Sequence, residues 1–167
     1  MRTSRVKKMI TVAMLLAMAI ILQLVEPGLP LAVPGVKLGL ANIIGLIALY
    51  LYGPKEMIAI NLLRVFMASL LRGNLFATGF WLSLGGVLLS TVMVIILKKF
   101  SKLSVVGLAM ASSVFHGLGQ ILVVCYIYQS IFLVSYLPVM WLLSIPTGIL
   151  TGIISRLVIR TLTKKEV

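Results

Sequence analysis

The stretch VAMLLAMAIILQLV (Val12–Val25) contains a single polar side chain, Gln23. A helix at a water-exposed surface keeps its apolar residues to one stripe. Here every side of the helix would be apolar. Extended back to Met9, the run is long enough to enter a bilayer core, which takes about 20 residues. The basic segment RTSRVKK (Arg2–Lys8) precedes it. A positive start followed by an apolar run resembles a secretory signal. The run continues to Val25 with no A-x-A cleavage site after it, so it reads as an uncleaved first span.

The rest of the chain has the same character. Of 167 residues, 61% are hydrophobic and 11% charged, with a mean hydropathy of +1.19. A soluble domain carries about 25% charged residues, because its surface must be solvated. The composition therefore points to an all-α, polytopic membrane protein, with residues 1–167 forming one integral membrane domain. A β-barrel would need strands alternating apolar and polar residues, which these runs do not do. The net charge is +12 and Asp is absent. No separable basic domain exists to bind nucleic acid, so none is expected as a partner. Cys125 is the single cysteine, which precludes an intramolecular disulfide or a cysteine metal cluster.

Breakers divide the chain into six expected transmembrane helices at about 9–25, 36–52, 55–71, 80–97, 104–127 and 137–157. The first break, EPGLPLAVPG, holds Pro27, Pro30 and Pro34, which forbid a continuous helix. A GPKE turn (Gly53–Glu56), RGNLFATG (Arg72–Gly79) and KKFSK (Lys98–Lys102) follow. A weaker break lies near Tyr128–Tyr136. With alternate loops placed inside, twelve of the fifteen basic residues fall on one side, leaving Lys37, Arg64 and Arg72. Basic residues gather in cytoplasmic loops, so both termini are expected in the cytoplasm.

The three leftover cations are accompanied by other polar residues. Arg64 lies near the middle of the third span, where a charge costs roughly 2.5–3.5 kcal/mol on insertion scales. It should therefore face the bundle interior. Asn61, Arg64 and Arg72 fall on one helix face, with the small Ala68 between the two arginines. Lys37 opens the second span on the outer side, Asn42 lies deeper, and Asn74 follows Arg72 in an outer loop. In the fifth span Ser113, His116 and Gln120 share a face beside Gly117 and Gly119, which permit close approach of a backbone or a ligand. These nine polar residues outline a cationic pocket opening outward, suited to an anionic or acceptor-rich small molecule. Each also has a simpler role open to it. Lys37 and Arg72 can snorkel to headgroups, His116 can be a bonded core residue, and the amides can bridge helices.

Two patterns of small residues permit close helix packing. Ala13 and Ala17 form A-x-x-x-A in the first span, and Gly148 and Gly152 form G-x-x-x-G in the last. Catalytic constellations are missing. The only acids are Glu26, Glu56 and Glu166, and the lone His116 has no metal-ligand spacing around it. There is no D-D-x-x-D or Walker A motif. No enzyme activity, cofactor or metal is expected, and the chain reads as a binding or translocation protein.

Three stretches carry a family resemblance: PGVKLGLANIIGL (Pro34–Leu46), NLLRVFMASLLRGN (Asn61–Asn74) and SSVFHGLGQ (Ser112–Gln120). They resemble the small bacterial Gx transporter family, often labelled heptaprenyl diphosphate synthase component I. That family is similar in size and layout to the substrate-binding S-components of energy-coupling-factor (ECF) vitamin transporters. These are six-helix bundles with a gating first outer loop and an A-x-x-x-A patch on the first helix. The resemblance implies an ECF S-component-like bundle in the bacterial inner membrane. It also implies that Ala13 and Ala17 contact a transmembrane coupling subunit driven by two ATPases, and that EPGLPLAVPG sits where the gate would be. On this reading the chain captures a small nutrient or cofactor precursor. The alternative is a non-catalytic accessory subunit in isoprenoid or quinone metabolism, or in quinone-linked electron transfer.

Overall fold

A computed structural model describes residues 2–25 and 40–164. Lys37 and the EPGLPLAVPG segment lie outside the described residues. The described chain is all-helical: α1 (Arg2–Val25), α2 (Leu40–Leu51), α3 (Pro54–Leu71), α4 (Thr78–Phe100), α5 (Val105–Tyr128) and α6 (Leu137–Lys164). A 3-10 helix, Ile131–Tyr136, fills the break between α5 and α6. Local chemistry sets these boundaries. Gly53 takes φ 108°, which disfavours a side chain, and Pro54 then opens α3, where a helix needs no N–H. Gly73 (φ 67°) and Phe76 (φ 64°) turn the chain between α3 and α4. Ser104 caps α5, its hydroxyl accepting from the Gly107 N–H at 3.2 Å.

Four helical stretches are long and apolar enough to cross a bilayer: Arg5–Val25, Thr78–Phe100, Val105–Tyr128 and Ile131–Thr163. The other two helices differ for physical reasons. The described part of α2 has 12 residues and would rise about 18 Å, short of a hydrocarbon core of about 30 Å. α3 has 18 residues but carries Lys55, Glu56 and Arg64.

α2 is the hub of the bundle. Ile43, Ile44, Leu46, Ile47, Ala48 and Leu49 are all buried. One side packs with Leu15 and Ala19 of α1 and Ile60 of α3. Another packs with Val94 of α4 and Leu108 and Ala109 of α5. Its all-round apolar surface therefore faces protein, whereas Met14, Met18 and Ile21 of α1 are exposed, as the lipid-facing side of a membrane helix would be.

The helix ends sort by charge. At one end the Lys8 ammonium pairs with Glu56 and lies 5.8 Å from the centre of the Tyr52 ring. At the same end Lys98 donates to the Leu49 carbonyl at 3.0 Å and lies 4.0 Å from the centre of the Tyr50 ring. The α5 start and the C-terminal half of α6 meet there too, because Gly152 lies against Val106. At the opposite end Arg72 donates to the Gln23 carbonyl, joining the last turns of α3 and α1. Phe66, Phe76, Phe80 and Trp81 pack edge to face near that end. Aromatic rings thus lie at both ends, Tyr50 and Tyr52 at the first and Phe76, Phe80 and Trp81 at the second, as at the two boundaries of a bilayer.

Candidate functional site

The buried face of α3 builds the polar centre. Its apolar and small residues, Met57, Ile60, Val65 and Ala68, bring Asn61 and Arg64 into the bundle with them. Asn61 is 4% exposed and Arg64 3%. Each reaches a different neighbour. The Arg64 guanidinium donates through Nη2 to Asn42 Oδ1 of α2 at 2.6 Å. One turn away, the Asn61 amide donates through Nδ2 to Thr91 Oγ1 of α4 at 2.8 Å. Gly45 of α2 makes room for this amide. A Cβ built on it would sit 2.5 Å from Asn61 Oδ1, so a larger residue would push the amide from its place. Asn61 Oδ1 and Asn42 Nδ2 are buried and have no hydrogen-bond partner.

Beyond Asn42 the polar set continues into a cavity between α2, α5 and α6. Asn42, Ser112, Thr151 and Ser155 line it, with apolar walls from α2 and α5. It has room for about one water molecule. Thr151 donates its hydroxyl to the Gly148 carbonyl at 3.1 Å, and Ser155 donates to the Thr151 carbonyl at 2.8 Å. Such back-bonding satisfies a hydroxyl hydrogen within its own helix.

The remaining expected residues lie elsewhere in the bundle. His116 and Gln120 face α4: a Cβ on Gly86 would lie 2.9 Å from His116 Cε1 and 3.0 Å from Gln120 Cγ. Ser113 points to α6, its hydroxyl 3.2 Å from where a Cβ on Gly148 would lie. The shared face of Ser113, His116 and Gln120 is thus divided between two neighbouring helices. Gly119 does receive a backbone, with Gly85 O 2.5 Å from its Cβ position. Arg72 is exposed and holds the Gln23 carbonyl of α1. Asn74 is half-buried in the α3–α4 turn, where its amide Oδ1 has no partner.

Thr91, Gln23 and Ser112 are polar residues that sequence reasoning passed over as site candidates. Thr91 had a signal, being a hydroxyl in the middle of the apolar α4 run. Thr151 and Ser155 also carry a signal, since they flank Gly152 and their spacing of four residues places them on one face. Ser112 has no such mark, because only the packing of α5 distinguishes it from Ser113.

Chemically, the centre offers a fixed positive charge, carboxamide donors and acceptors, and hydroxyl oxygens, all enclosed by apolar side chains. That arrangement belongs to an all-helical membrane protein with a polar interior. The sequence profile of heptaprenyl diphosphate synthase component I matches residues 15–158, and the chain belongs to that family. This is the family to which the three resembling stretches pointed. A comparison with curated proteins finds no match, and one with solved structures finds none.

Proposed function

We propose that this protein is the substrate-capture subunit of a membrane uptake system, binding a small anionic or amphiphilic molecule through Arg64. The observation that carries the reading is the placement of Arg64. An arginine 3% exposed in an apolar bundle places a guanidinium in a low-dielectric interior, beside the amide of Asn42. Asn42 takes one N–H of the guanidinium at Nη2, and the planar fork of five donors suits a carboxylate or phosphate group. Asn61 and Asn42 add polar atoms on either side.

On this proposal the chain crosses the membrane six times, with the basic end and both termini in the cytoplasm. The sorting of cations to one end supports that orientation. Coupling to ATP hydrolysis falls to partners, a transmembrane subunit and two ATPases, which the chain would meet through Ala13 and Ala17. Both alanines are exposed on α1, which leaves them accessible to another helix.

The family description favours a second reading, a non-catalytic membrane subunit serving a prenyl diphosphate synthase. Without Asp the chain lacks the D-D-x-x-D motif that would hold magnesium diphosphate, so on that reading the chemistry belongs to a partner.

Native mass spectrometry of the protein from its own host membranes, in mild detergent, separates the two. A small molecule retained by wild type and reduced about tenfold or more in folded Arg64→Ala is the expected result, since a hydrogen bond to a charged group is worth about 1.5–3 kcal/mol. Wild-type protein without a small molecule, but co-purifying with a prenyl synthase, would sink the capture reading.

A further inference from the structure

We infer that the cavity between α2, α5 and α6 holds a resident water that bridges Asn42 to the hydroxyl oxygens of α6. The argument is one of donors and acceptors. Asn42 spends its Oδ1 on Arg64, and its buried Nδ2 has no partner. A buried amide N–H left without an acceptor is costly. Across the cavity, Thr151 and Ser155 have given their hydroxyl hydrogens to carbonyls of their own helix. What remains on each oxygen is acceptor capacity. Asn42 of α2 and Thr151 and Ser155 of α6 all line the cavity, so a single water there would accept from Asn42 and donate to α6.

Size and setting agree with this. The space is about that of one water, and a buried water needs two to four polar partners. Ser112 of α5 also lines the cavity and adds a third hydroxyl as a further partner. An apolar cavity of this size would stay dry, whereas this one has four polar residues around it. The bridge would join Arg64, through Asn42, to the helix that packs across α5. It is independent of any ligand at Arg64.

Two measurements test it on the full-length protein in detergent or lipid. A crystal structure at a resolution that shows solvent should contain one ordered peak within about 3 Å of Asn42 Nδ2 and of an α6 hydroxyl. That peak should be lost in the Thr151→Val, Ser155→Ala double variant. An empty cavity, or one filled by a side chain, overturns the proposal.

The second measurement compares thermal midpoints of Asn42→Leu, Thr151→Val and the variant carrying both. Thr151→Val keeps the shape and removes the oxygen, and should lower Tm by roughly 2–4 °C. The combined variant should fall by less than the sum, because the bridge can be lost only once. Additive shifts, or no shift from Thr151→Val, would count against the water. If Asn42→Leu does not fold, the Thr151→Val shift and the solvent peak still decide the matter.

Discussion

α1 and α6 each carry a pair of small residues four apart, and the two pairs have opposite fates. Gly148 and Gly152 of α6 are buried on α5, with Met110 Cα 2.7 Å and Val106 Cα 2.8 Å from where their Cβ atoms would be. Ala13 and Ala17 of α1 are exposed. The reason lies in the rest of each helix. α1 turns Leu15, Ala19 and Gln23 inward, which puts Ala13 and Ala17 on the far side. In α6, Thr151 and Ser155 are buried on the same side as the glycines. A small-residue pair states that a close neighbour is possible. It does not state whether that neighbour is in the same chain.

The sharpest way to break this comparison is to add a methyl group where the backbones touch. Gly148→Ala and Gly152→Ala should each destabilise the bundle by about 1–3 kcal/mol, since α5 backbone cannot yield as a flexible side chain does. Midpoints of thermal unfolding in detergent would show it. Unchanged midpoints would mean that α5 and α6 are not in contact at those glycines.

Gly117→Ala supplies the control within α5. Its nearest atoms, Ser144 Oγ and Met140 Cε, would lie 3.6 and 3.8 Å from the added carbon, in ordinary contact. The variant should be neutral or up to about 1 kcal/mol more stable, because alanine suits a helix better than glycine. A loss as large as that of Gly148→Ala would show that glycine is needed all along the contact between α5 and α6.

The smallest effect on folding is expected at α1. Ala13→Leu and Ala17→Leu should change stability by no more than about 0.5 kcal/mol, yet reduce capture of the proposed coupling subunit in a pull-down from host membranes. If instead these variants unfold the protein, the stripe is an internal contact after all. Full capture by the folded variants would place the partner elsewhere.

The same contrast explains how far the sequence could be read. Helix positions were legible because runs of apolar residues are punctuated by Gly53–Pro54, Arg72–Gly73 and Lys98–Lys102, each of which disfavours continuation in lipid. The expected spans and the observed helices agree within a few residues in α4 and α5, while α6 runs on to Lys164 beyond its apolar part. What could not be read was which apolar helix faces lipid. VAMLLAMAIILQLV in α1 and LANIIGLIALYL in α2 look alike, but the first is exposed along one side and the second is enclosed by the other five helices. Lipid tails and leucine side chains are equally apolar, so hydropathy does not distinguish them.

The polar residues follow the same division. That Arg64 and Asn61 must turn away from lipid followed from the cost of placing them there, and their spacing put them on one face. Which groups they meet did not follow. The bonds to Asn42 and Thr91 bring together positions 22 and 30 residues apart in the chain, and the divergence of Ser113 from His116 depends on how α4 and α6 cross α5. By itself the sequence determined that the chain is a helical membrane protein with polar residues turned inward, because burial and backbone bonding in lipid act on each segment separately. Only the tertiary structure decided how those polar atoms pair and which small residues stay uncovered, because both depend on helix crossings that no single segment encodes.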